Sequence, residues 1–214
     1  MKKGHNKKPM NKHSLEFEAI HQRIIAVTFR LLKGHLSSDV AMKDIAKAAR
    51  ISRQTLYKHF NSIGDIILEI KKSFDREIIA SVASRTSLVK ENGREKVVGI
   101  ATALFSLEQQ NPDKFIFLSR FGDFENTKGV SLYYQDLFYK NLGIDAIFQE
   151  GIADGSIRPD LDPYKSSLSL ASQMIALSFR MANLQPQVDL GGHHYSGVEI
   201  EDEFIAELDY LLKP

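Results

Sequence analysis

The sequence predicts an all-α protein of two unequal helical domains, and two observations carry that prediction. Apolar residues recur at intervals of three and four in one segment after another, the spacing of a helix that buries one side. The charge then separates these segments into two groups. Residues 1–60 hold 13 Lys and Arg against 4 Asp and Glu, a balance of +9, whereas residues 61–214 hold 15 against 23, a balance of −8. The net charge of +1 over 214 residues conceals this division. Length alone permits one large domain or a small and a medium one, and either can bury a substantial core.

Residues 1–13, MKKGHNKKPMNKH, have no periodicity and almost no apolar content, so a disordered basic arm or a remnant of cloning is expected there. Ser14 can cap a helix to about Lys33 whose buried stripe is Phe17, Ile20, Ile24, Val27 and Leu31, with Gly34 ending it. Met42, Ile45, Ala46 and Ala49 form the apolar stripe of a short helix flanked by Lys43, Asp44 and Lys47. Arg50 and Ile51 interrupt it, Ser52 caps the next helix, and Leu56 and Phe60 stand four apart on that helix's buried side. Ala46 and Ala49 are small enough for the two helices to cross closely, and Ile51 can plug the corner. This is the pattern of a helix-turn-helix.

The exposed side of the second helix then carries Arg53, Gln54, Thr55, Tyr57, Lys58 and His59, a set of donors with one methyl-bearing hydroxyl and no acid. Such a surface suits phosphates and base edges. A plain solvated face is the alternative, but wedge, cap and missing acids coincide here. A basic module on an acidic body also fits a DNA reader, because counterion release supplies affinity where the phosphates lie.

Asn61 or Ser62 can cap a fourth helix over 63–83, with Ile66, Ile67, Ile70, Phe74, Ile78 and Val82 on its apolar side. A helix over 94–110 ends at Asn111-Pro112-Asp113, and 114–121 follows with Phe115, Phe117, Leu118 and Phe121. A loop over 122–130 leads to a long helix over 131–154 bearing Tyr133, Tyr134, Phe138, Ile144, Ile147 and Phe148, closed by Gly155. Aromatic stripes of this kind are more often core than ligand box; together, Phe74, Phe105, Phe115, Phe117, Phe121, Tyr134, Phe138 and Phe148 are nevertheless the pocket candidates. The three Asp residues of GIADGSIRPDLDP do not make a calcium loop, since Lys165 stands where an EF-hand starting at Asp154 needs Glu. Asp162 and Pro163 instead open a helix to about Asn183, lined by Ser and Ala residues that allow another helix to approach. The stretch 184–198 is polar and turn-rich; adjacent His193 and His194 lack a third ligand at metal spacing. A last amphipathic helix covers 200–212. It and the Ser/Ala-rich helix suggest a four-helix seam across a two-fold axis, with Leu168, Ser172, Ile175, Phe179, Phe204, Leu208 and Leu211 as dimerisation candidates.

No cysteine occurs, which excludes disulfides and thiolate metal sites and fits a reducing compartment. There is no apolar signal region and no run of about 18 apolar residues, so neither secretion by that route nor a membrane span is expected. No phosphate-binding glycine loop, nucleophile elbow or paired His and Glu motif is present.

The run DIAKAARISRQTLYKHFNSIGDI resembles the DNA-binding signature of the TetR family of bacterial transcriptional regulators, and the resemblance extends from near Ser14 to Phe74. It implies an all-helical homodimer with a basic arm over 1–13, a three-helix DNA-binding domain over 14–62, and a helical effector-binding and dimerisation domain over 63–214. It implies double-stranded DNA as partner and a small-molecule effector; a cytoplasmic location, with neither cofactor nor metal, is expected from the residues themselves. Lys43, Arg50, Ser52, Arg53, Gln54, Thr55, Tyr57, Lys58 and His59 would face DNA. Of these, Tyr57 and His59 would position phosphates, Thr55 would reach a phosphate or a thymine methyl, and Arg53 and Gln54 would contribute most to sequence choice. The chain departs from the family pattern at Arg50, where Gly is common, at Ala41, where Thr or Ser is usual, and at Ile63, where Lys often stands. The implied function is a repressor released from a palindromic operator by an apolar or amphipathic effector. The alternatives are an adaptor whose core binds a protein, and a helical enzyme carrying a relic motif.

Overall fold

A computed structural model describes residues 12–34, 39–86, 91–121, 142–184 and 187–214. Among these are nine helices and one two-stranded hairpin, arranged in two compact units, Met1–Ile70 and Lys71–Pro214. The division falls inside the fourth helix. Among the described residues no helix is long and apolar enough to cross a membrane.

In the first unit, α1 (Lys12–Gly34) begins two residues before the expected Ser14 cap. Its buried side is Ile24, Val27, Thr28 and Leu32, one position on from the expected Leu31. Thr28 is tolerated there because its hydroxyl donates to the Ile24 carbonyl at 2.8 Å. Phe17 is not in the core: at the N-terminal end of α1 it is 49% exposed. Helix α2 (Met42–Ala49) packs on α1 through Ile45, Ala46 and Ala49, all buried. Ala41 has no side chain to cap it, but the Asp44 carboxylate accepts the Ala41 N–H at 3.1 Å, half of a capping box.

Helix α2 ends at Arg50 in the left-handed conformation, φ 54° and ψ 49°, and the Ile51 N–H closes back on the Ala46 carbonyl at 3.0 Å. That is a Schellman ending, which usually takes Gly. Among the described residues Arg50 is the one non-glycine with positive φ. Helix α3 (Arg53–His59) is capped by Ser52, whose hydroxyl accepts the Thr55 N–H at 3.0 Å. Leu56 and the residue that ends it, Phe60, are buried. Helix α4 (Ile63–Thr86) opens on a full capping box: Ser62 Oγ accepts the Asp65 N–H at 3.1 Å and Asp65 accepts the Ser62 N–H at 3.1 Å.

The second unit is built on α5 (Gly93–Gln110), which packs against α7 (Ile144–Ala153), α8 (Pro163–Asn183) and α9 (Gly197–Leu212); α6 (Pro112–Phe121) packs on α8. Residues 122–141 lie outside the described residues, and with them the expected loop and the first part of the expected long helix. What is described corrects that helix. Gly143 has φ +58°, so a helix running unbroken from 131 to 154 is interrupted there and α7 starts afresh at Ile144. The turn after α7 caps α5: the Asp154 carboxylate accepts the Gly93 N–H at 2.9 Å, and Ser156 Oγ accepts the Arg94 N–H at 3.1 Å. Asp162 and Pro163 open α8 as expected, with Asp162 accepting from Tyr164 and Lys165 N–H groups.

The stretch expected to be polar turns contains an antiparallel hairpin, β1 (Gln187–Leu190) and β2 (His193–Ser196), with Val188 opposite Tyr195. Gly191 and Gly192, at φ 58° and 84°, supply the two positive-φ positions of a primed hairpin turn. The turn chemistry was in the sequence, but strands of four residues are too short for alternation to register.

Candidate nucleic-acid interface and core grooves

The capped helix α3 presents Arg53, Gln54, Tyr57 and Lys58 to solvent, with Tyr57 52% exposed. Thr55 is half-buried, and its hydroxyl lies 2.8 Å from that of Ser52. Lys43 and Arg50 are exposed on α2 and in the turn that joins α2 to α3. The motif therefore carries five cations, Lys43, Lys47, Arg50, Arg53 and Lys58, on side chains open to solvent, while its one carboxylate, Asp44, is turned back onto the Ala41 N–H.

His59 stands apart from this open set. It is half-buried, and its ring stacks on Phe17 of α1 with centroids 4.0 Å apart. His21, one helical turn beyond Phe17, stacks on Phe60 at 4.6 Å, and the two imidazoles are 5.6 Å apart. Nδ1 of His21 and Nδ1 of His59 are buried without a hydrogen-bond partner. Burial first, and then His21, push the His59 pKa down, against a smaller opposite pull from Glu18. Phe17 and His21 were absent from the sequence-based site. Their spacing of four puts them on one helix face, but the periodicity places Phe17 in the core and nothing local links either residue to α3.

The aromatic candidates do not form one box. Phe74, Phe117 and Phe121 meet, with Phe74 edge-on to Phe117 at 5.6 Å and Phe117 at 4.8 Å from Phe121. Phe105 instead meets Phe204 edge-on at 5.7 Å. Phe105, Phe115, Phe117, Phe121 and Phe148 are all buried. Tyr134 and Phe138 lie outside the described residues. Lys114 sits 5.4 Å over the Phe74 ring and pairs with Glu77.

Two open grooves lie along α9. One, of about 460 Å³, has Phe148, Leu161, Leu170 and Leu211 among its apolar lining and Arg158 and Lys165 among its cations. The other, of about 860 Å³, combines Leu177, Ile200 and Phe204 with the carboxylates of Glu199, Asp202 and Glu203. Of the dimerisation candidates, Leu168, Ser172 and Leu211 are exposed, the last at 61%; Phe179 and Phe204 are half-buried; Ile175 and Leu208 are buried within the chain itself.

A pair of carboxylates unforeseen in the sequence joins α5 to α9. Glu108 and Glu201 are both buried, and Gln109 donates to Glu201 Oε2 at 2.7 Å. Burial, followed by the charge of Glu201, raises the Glu108 pKa to about 8, and burial raises that of Glu201 as well.

Residues 24–70 match the model of the bacterial regulatory proteins of the tetR family. The HTH-type transcriptional repressor KstR2 of Mycolicibacterium smegmatis is 29% identical over 128 residues, which are 56% of this chain and 59% of that repressor. Among solved structures, the regulator FadR of Bacillus subtilis in complex with stearoyl-CoA superposes with a TM-score of 0.70 at 18% identity, over 89% of this chain and 98% of that one. AibR in complex with isovaleryl coenzyme A and operator DNA superposes with a TM-score of 0.67 at 17% identity, over 88% and 97%. At these identities the two structures show likeness of fold.

Proposed function

We propose that the chain is a TetR-like regulator, on the match of residues 24–70 to that family's model, and that it acts as a dimeric transcriptional repressor released from a palindromic operator by an apolar or amphipathic small molecule. One observation carries the DNA-binding part: α3 is capped, its outward side chains are donors, and no carboxylate competes with phosphate on that face. Lys43, Arg50, Tyr57, Lys58 and His59 hold the backbone in this reading, and Arg53, Gln54 and Thr55 read base edges. The exposed Leu168, Ser172 and Leu211 on α8 and α9 support these helices as the seam between two copies.

An acyl thioester of coenzyme A is the first effector class to test, because FadR and AibR are each described in complex with one. The rings of Phe74, Phe117 and Phe121 pack on one another, and an acyl chain that parted them would gain an apolar wall. A second reading, an adaptor whose core takes a protein partner, is favoured by the tight burial of Phe105, Phe115 and Phe117, each 3% exposed or less.

The deciding experiment is a salt titration of binding to fragments containing the protein's own promoter. Specific binding should fall steeply as salt rises, with half-sites about one helical turn apart or somewhat more. Binding no tighter than to random DNA at every salt concentration sinks the repressor reading.

A further inference from the structure

The stack of Phe17, His21, His59 and Phe60 is more than α3 needs to expose a phosphate contact, and two of its four members come from α1. A neutral imidazole carries one N–H. In His59 the buried Nδ1 meets no acceptor, so the proton belongs on Nε2 and Nδ1 is left as a bare lone pair. Protonating the ring would place a second N–H where nothing accepts it, beside the ring of Phe17 and 5.6 Å from another imidazole. The charged groups bearing on His59 are His21, which opposes protonation, and Glu18, which favours it and is already hydrogen-bonded to Gln22 at 2.8 Å. Asp65, at the start of α4, is engaged by the Asn61 and Ser62 N–H groups.

A phosphate oxygen at Nε2 reverses this balance, since a charge-assisted hydrogen bond and an adjacent anion both favour imidazolium. Binding and protonation then promote each other. We propose that Phe17 and His21 are positioning residues that make His59 a proton-linked phosphate contact, neutral in the free protein and cationic on DNA. This rests on the DNA-binding reading of α3 given above.

The probe is a duplex that the purified full-length protein enriches from a random-sequence library, with affinity measured at fixed ionic strength from pH 6.0 to 8.0. Affinity should rise as pH falls, by up to about tenfold per pH unit for each occupied half-site. His59→Gln should bind more weakly and lose most of that slope. His21→Gln should move the profile's midpoint to higher pH by removing the neighbouring imidazole, a shift that a merely structural role does not produce. Phe17→Ala should weaken binding, and Phe17→Tyr, which keeps the ring, should restore it. A slope as steep in His59→Gln as in the unaltered protein overturns the proposal and leaves DNA binding standing, whereas failure to enrich any duplex overturns both. A ring-proton NMR titration of the free protein gives a readout without DNA: His59 should titrate below the ordinary imidazole value of about 6.5, and titration at or above it overturns the proposal.

Discussion

Gly93 and Gly151 meet where α5 crosses α7, so closely that a Cβ on Gly93 would lie 2.2 Å from the Gly151 Cα and 2.9 Å from the Ile147 carbonyl oxygen. A Cβ on Gly151 would strike Ile157 Cδ1 at 2.5 Å. The same crossing brings the α5 N-terminus onto Asp154, whose carboxylate is held below its usual pKa by bonds from Ser156 and Gly93. Helix approach, cap and turn are thus one feature.

Gly93→Ala should destabilise the second unit by about 1–3 kcal/mol or more, because the obstruction is backbone and cannot rotate away. Gly151→Ala should cost less, since its two nearest obstructions are atoms of the Ile157 side chain and the backbone contact, Gly93 Cα at 3.2 Å, is less severe. Asp154→Ala should cost about 1 kcal/mol as a lost cap. Urea unfolding of the three variants checks the ranking; an unchanged midpoint in Gly93→Ala would contradict the close crossing.

Arg50 carries a left-handed backbone that costs a non-glycine residue about 1 kcal/mol. Arg50→Gly should therefore raise stability by about that amount. If Arg50 contacts a phosphate as proposed, DNA affinity should fall in the same variant, because the exposed guanidinium at the turn is lost where Ala41 and Ile63 offer no substitute. Thermal unfolding and a DNA titration on one preparation separate the two effects. A variant that is both stabler and equally tight would mean that Arg50 contributes strain without contact.

The helix-turn-helix was legible because every part of it is local: Ser52 caps three residues on, Leu56 and Phe60 share a face, and Arg50 sits where the chain must turn left-handed. The small-sided α8 was legible for the same reason, with Asp162 and Pro163 marking its start. What was not legible depends on distance along the chain. Nothing near Glu108 indicates Glu201, and nothing near Gly93 indicates Gly151. The expected long helix through Gly143 failed because one glycine at φ +58° outweighed an apolar stripe that continued across it. The spacing of Phe17 predicts a core position, but the residue lies at the end of α1, where its ring meets His59 instead.

An acyl-CoA effector, if it acts through the core, must obey linkage with DNA. A coupling of about 1–3 kcal/mol is ordinary for such sites and corresponds to roughly 5- to 150-fold in affinity. Calorimetry with and without operator should give the same factor in both directions. Phe117→Ala should weaken the effector without altering DNA affinity in its absence. Equal effector affinities in the two titrations would leave the core as an adaptor surface.

Glu108 and Glu201 give the second unit an alkaline weakness. In the folded chain Glu108 keeps its proton up to about pH 8, whereas the unfolded chain releases it near its ordinary value of 4.5. Between those values the folded state binds more protons than the unfolded state, so stability falls as pH rises. The contribution is complete below about pH 4.5 and is lost as pH passes 8, where the Glu108 carboxylate, buried between α5 and α9, becomes charged beside Glu201. Glu201 shifts in the same direction and reinforces the slope, and the Gln109 amide donates to Glu201. Unfolding temperature should therefore decline from pH 6 to pH 8.5. Glu108→Gln, which keeps the shape and can donate to Glu201 at any pH, should flatten that decline and leave the variant the more stable protein at pH 8.5. Parallel declines in the variant and the unaltered chain would place the sensitive group elsewhere.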